Sequence, residues 1–149
     1  MKLSKNEYET TTQLLDSAYK NVRMASFAID CIIEKIENKK LEELLRKQND
    51  FYLDTTEILE KISTDLKHKP VDINIFLKGT SFTSIKMKAM MNPSAQHLAE
   101  MLVQGTTMGI TDMMKSKSDF ETNNTELKQT VDKIIENEEA FVDSLKTFL

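Results

Sequence analysis

A single apolar stripe near the start of the chain constrains the fold more than any other feature. Tyr8, Thr11, Leu15, Ala18, Val22, Ala25, Ile29, Ile32 and Ile36 follow one another in alternating steps of three and four. That is a heptad pattern, sustained for about four heptads, and it belongs to a long helix. Ser4 and Glu7 stand at capping-box spacing, a hydroxyl for an early N–H and a carboxylate reaching back. The expected helix covers residues 6–37 and is about 45 Å long at 1.5 Å per residue. It cannot bury its stripe alone and needs partners of similar length.

Such partners are present. Asn38 interrupts the pattern, and Leu41, Leu45, Gln48, Tyr52, Thr55, Leu59, Ile62 and Leu66 then repeat it. So short a joint makes the expected second helix, 40–67, an antiparallel neighbour of the first. Lys69-Pro70 is expected to end it. Asn92-Pro93 reads as cap and first turn of a third helix over 93–116, with Leu98, Met101, Leu102, Gly105, Met108 and Gly109 as its stripe. A fourth helix over 124–148 carries Leu127, Val131, Ile134, Glu138, Phe141, Leu145 and Phe148. The expectation is one all-α domain over 1–149, two helical hairpins joined by a connection over 68–92. That connection is long enough to cross the whole bundle, which would make helices two and three parallel.

Composition narrows the classes. The 149 residues hold 3 Gly and 2 Pro, too few for the turns of an all-β fold. One Cys leaves no intramolecular disulfide or clustered Cys zinc site. A net charge of -4 argues against general nucleic-acid binding. No signal-like start and no membrane-length apolar run are visible, so a cytoplasmic protein without membrane insertion is expected. The abundance of Lys, Asn, Ile and Glu has a bacterial look.

With helix lengths and crossover placed, the chain resembles the ferritin-like superfamily of up-down-down-up four-helix bundles. Residues 97–109, with His97, Glu100, Gly105 and Gly109, are also similar to the third helix of small ferritin-like proteins of clostridial bacteria. The superfamily's chemistry requires four carboxylates and two histidines inside the bundle, including Glu-x-x-His on two helices. This chain has no Glu-x-x-His; Asp65-x-x-His68 comes nearest, and His97 precedes Glu100 in reversed order. The departure weighs against oxidative metal chemistry and leaves iron or manganese only at a degenerate site, with Glu138, Gln48, His97 and Glu100 as weak candidates.

Glu138 is the most informative single residue. It lies on the fourth stripe, where a carboxylate is costly unless paired or bound to a cation. The simpler expectation rotates the helix so that Glu138 reaches solvent at the stripe edge. Otherwise it joins Thr11, Gln48, Tyr52 and Thr55 in a buried polar layer. Gly105 and Gly109 stand four apart and call for a close neighbour, internal or across a homodimer interface, since Gly in a helix costs about 1 kcal/mol relative to Ala. With Met101 and Met108 they are the candidate interaction residues. Seven methionines, from Met87 to Met114, concentrate in one third of the chain. Three functions remain open. The first is a non-catalytic bundle acting through structural or protein-contact surfaces toward an unidentified protein partner. The second is a metal-binding protein with a degenerate site. The third is a small-molecule carrier with a groove lined by Met101 or Met108.

Overall fold

The computed structural model describes residues 3–71, 73 and 92–149. Among these the chain is all-helical. Four long helices are α1 (Lys5–Ile32), α2 (Lys39–Asp65), α3 (Ala95–Asp119) and α4 (Thr125–Lys146), and a 3-10 turn (Ile33–Lys35) follows α1. The expected connection over 68–92 lies mostly outside the described residues.

Local chemistry sets most of the boundaries, and several fall a few residues from expectation, among them the end of the third helix, at Asp119 rather than 116. At the start of α1, the Glu7 N–H donates to Ser4 Oγ (3.2 Å). The Glu7 carboxylate does not reach back; its Oε1 accepts from Asn123 Nδ2 (3.4 Å), which ties the entry of α1 to that of α4. The α-helix then closes at Ile32, earlier than the stripe suggests. Ile33–Lys35 tighten into the 3-10 turn, which keeps Ile33 and Ile36 packed on the core before the chain reverses. Asn38 caps α2, accepting from the Leu41 N–H (3.0 Å).

The end of α2 is not set by Pro70. Lys67 adopts a left-handed conformation (φ 54), the His68 N–H donates to Ser63 O (2.9 Å), and the Lys67 N–H donates to Thr64 O (3.0 Å). That is the pairing of a Schellman motif with lysine where glycine is usual. An L-residue pays a steric cost in that region. Lys67→Gly is therefore expected to stabilise the protein by about 0.5–1 kcal/mol, read as a rise in the urea midpoint at unchanged slope.

At α3, the cap is Ser94 rather than Asn92: the His97 N–H donates to Ser94 Oγ (3.2 Å). Asn92 instead accepts from the Ser94 N–H (3.2 Å). Proline disfavours helical geometry in the residue before it, and here the helix begins two residues after Pro93. Asn124 caps α4 through the Leu127 N–H (2.9 Å).

One apolar core joins all four helices, with Leu15, Val22, Leu45, Leu59, Leu98, Val131, Ile134 and Leu145 fully buried. Tyr8 Oη donates to Leu66 O (3.2 Å), joining the start of α1 to the end of α2. Ser116 Oγ donates to Ser17 Oγ (3.0 Å), and Asn21 Nδ2 donates to Gly109 O (3.1 Å), so α1 and α3 run in opposite directions. Thr11 and Thr122 share a hydrogen bond of 2.6 Å at the same end. No described helix is long and apolar enough to cross a membrane.

Candidate functional site

α1 turns small side chains toward α3: Ser17, Asn21, Ala25 and Ala28, spaced four, four and three. α3 answers with Gly105 and Gly109 between Met101 and Met108. Side chains this short do not fill the space between two helix backbones, and among the described residues a groove of about 620 Å³ lies along the seam. Its walls are mainly apolar, with Met24, Ile29, Met101, Leu102, Met113 and Phe141 among them. Asp112, Lys115 and Asp119 of α3 and Lys20 of α1 are the charged side chains of its walls.

The polar floor comes from the two helices behind. Glu138 of α4 is 1% exposed and Tyr52 of α2 is 1% exposed, and both line the groove. The Tyr52 phenol donates to Glu138 Oε2 (2.8 Å). Burial pushes the Glu138 carboxyl up from 4.5 to about 7, against the opposing pull of the Tyr52 hydrogen bond and the nearby Asn21 amide. Burial also raises Tyr52 well above its ordinary value, and the Glu138 charge adds to this, so the phenol keeps its proton and acts as donor. Gln48 lies beside Tyr52 and donates through Nε2 to Asn137 Oδ1 (2.6 Å). Two floor atoms are buried without a hydrogen-bond partner among the described residues: Glu138 Oε1 and Asn21 Oδ1.

The expectation that Glu138 reaches solvent is therefore wrong. The register of α4 keeps it on the stripe, between Ile134 and Phe141, and both of those are buried too. Of the expected polar layer, Tyr52 and Glu138 pair and Gln48 stands next to them. Thr11 bonds Thr122 at the end of the bundle, and Thr55 donates to its own helix at Phe51 O (2.8 Å).

The other candidates separate. Glu100 is exposed, and His97, half-buried, holds an Nε2 with no partner among the described residues; neither is among the residues that line the groove. His68 pairs with Asp16 of α1, Nε2 to Oδ1 at 2.9 Å. No group of three or more His, Cys, Asp or Glu comes together as a metal site among the described residues. The donor set a ferritin-like metal pair requires does not assemble there.

The glycines divide. A Cβ on Gly109 would lie 3.0 Å from Asn21 Nδ2 and 3.7 Å from Glu138 Oε2, so this glycine answers a close approach. Among the described residues, a Cβ on Gly105 would meet nothing within 4 Å, and no contact there explains it. Met101 is half-buried in the groove wall, and Met108 lines it at 69% exposure. Asn21 is the residue sequence reading missed. It precedes Val22 at the edge of the α1 stripe, and only the opposing helix distinguishes it from a solvated amide.

Comparison of the chain with protein-family models, curated proteins and solved structures gives no match.

Proposed function

We propose that this chain is a non-catalytic, ferritin-like helical bundle that holds a small amphipathic molecule in the groove between α1 and α3. The observation that carries the reading is an apolar cavity with a buried carboxyl at its floor. Its volume of about 620 Å³ falls within the usual range for small-molecule sites. Apolar walls with a few convergent polar groups are the usual build of such a site. The lining by Met101 and Met108 is what a Met-lined carrier requires, and methionine adapts its shape to irregular ligands.

The ferritin-like assignment draws support from end-to-end contacts. Tyr8 meets Leu66, and Thr11 meets Thr122, so α2 and α3 finish at the end where α1 starts. Parallel α2 and α3, with a crossover over 68–92, follow as the proposed up-down-down-up order. A metal site draws less support, since Glu138 has a phenol and amides for neighbours. A protein-contact surface has for material the exposed Leu53, Ile58, Met108 and Met114, divided between α2 and α3. Single exposed apolar side chains are ordinary on any surface.

A neutral solvatochromic dye, Nile red, tests the groove. It should bind with a blue-shifted emission, and Ala28→Phe, which fills the open space, should weaken binding at least tenfold while thermal unfolding stays cooperative. Equal binding by Ala28→Phe and the unaltered protein would overturn the reading.

A further inference from the structure

We propose that the ligand of this groove carries a protonated amine, whose N–H groups bind Glu138 Oε1 and Asn21 Oδ1. The inference rests on the ligand-holding reading above and adds the chemical class of the ligand. It follows from the hydrogen-bond capacity left open at the floor. The Tyr52 hydroxyl hydrogen is committed to Glu138 Oε2. One N–H of Asn21 Nδ2 goes to the Gly109 carbonyl, and the Asn21 amide also hydrogen-bonds the Glu138 carboxyl, which leaves that carboxyl's Oε1 open. What remains without a partner among the described residues is two acceptor atoms, Glu138 Oε1 and Asn21 Oδ1, both buried. A buried acceptor without a donor is destabilising, and a carboxylate more so than a neutral group. A molecule that supplies donors relieves both; one that supplies only acceptors, such as a carboxylate or phosphate, aggravates both.

Charge separates an ammonium from a neutral donor. The Glu138 carboxyl has no cationic partner among its hydrogen bonds, and burial holds it half-protonated near neutral pH. An ammonium restores the ionised form and forms a charge-assisted hydrogen bond, stronger than one from a hydroxyl. The absent side chain of Gly109 leaves the approach open, since a Cβ there would press on the Asn21 amide. Among the described residues, the other titratable or charged groups lining the groove are Tyr52 on α2, Lys20 on α1, and Asp112, Lys115 and Asp119 on α3. Tyr52 stays neutral across the range that matters, and burial is its main cause. Apolar walls fit an alkyl or aryl body behind the amine.

The test uses three probes of one shape: 4-phenylbutylamine, 4-phenylbutanol and 4-phenylbutyrate, titrated calorimetrically into the full chain. At pH 8 the amine should bind at least about tenfold tighter than the alcohol, the scale of a hydrogen bond to a charged group. Its affinity should fall about tenfold from pH 8 to pH 6, following ionisation of a carboxyl at about 7. The affinity of the alcohol should not fall. Glu138→Gln, close in shape, should erase the amine's advantage yet still bind the alcohol, and Gly109→Ala should weaken the amine. Equal binding of amine and alcohol, or tighter binding of the carboxylate, would overturn the ammonium while the groove stands. Failure of all three probes, with Nile red also unbound, would remove the groove as well.

Discussion

Glu138→Gln should be more stable than the unaltered protein by about 3 kcal/mol at pH 8 and nearly equal to it at pH 4.5. The figure is the free-energy equivalent of a carboxyl that ionises at 4.5 when exposed and at about 7 in the fold. The folded carboxyl holds its proton more tightly than the unfolded one. Its contribution is therefore fully present below pH 4.5, where both states are protonated. It is lost as pH rises from 4.5 through 7, where the unfolded chain ionises freely and the folded chain resists. Above 7 the loss is complete and constant. Glutamine cannot ionise and keeps the shape, so the difference between the two proteins isolates this group from every other carboxylate. Urea unfolding at half-unit steps from pH 4.5 to 8 measures it. A difference that stays constant across that range would show that Glu138 is not desolvated.

Truncation of Tyr52 should have an effect of similar size and opposite sign. Tyr52 is among the largest fully buried side chains, and it both fills the core and gives Glu138 its donor. Tyr52→Ala should cost about 3–5 kcal/mol, the range for removing a buried aromatic ring. Tyr52→Phe keeps the ring and removes only the hydroxyl, so about 1–3 kcal/mol is expected for leaving Glu138 Oε2 unsatisfied. The phenylalanine variant also carries a signature beyond stability. The Tyr52 hydrogen bond pulls the Glu138 carboxyl down, so its loss should move the midpoint of the pH dependence above 7. Tyr52→Phe with an unchanged midpoint would mean the phenol does not serve the carboxyl.

Much of the helical frame is legible along the chain because its causes are local. Three-and-four spacing is a property of consecutive residues. A cap such as Asn38 or Asn124 acts on an N–H three positions away. Where local signals compete, the reading slips by a few residues. Ser94 is a better-placed cap than Asn92, and Pro70 only follows a helix already stopped by the left-handed Lys67. The site was half legible. A carboxylate on an apolar stripe marks Glu138, and a phenol on the facing stripe marks Tyr52. Neither pattern says whether the stripe edge is covered. A rotation of a few tens of degrees about the helix axis moves Glu138 between solvent and core, and no residue on α4 alone sets that rotation.

The sequence by itself determined the four amphipathic helices, their order and the acid on the fourth stripe, because periodicity and capping act within one turn or one helix. Tertiary structure decided which seam holds the groove, that Asn21 faces Gly109, and that Gly105 has no described neighbour within 4 Å. It also decided that Glu138 Oε1 is buried without a donor among the described residues. Each of those depends on the distance and rotation between helices. Packing of the whole core sets both, and no run of neighbouring residues encodes either.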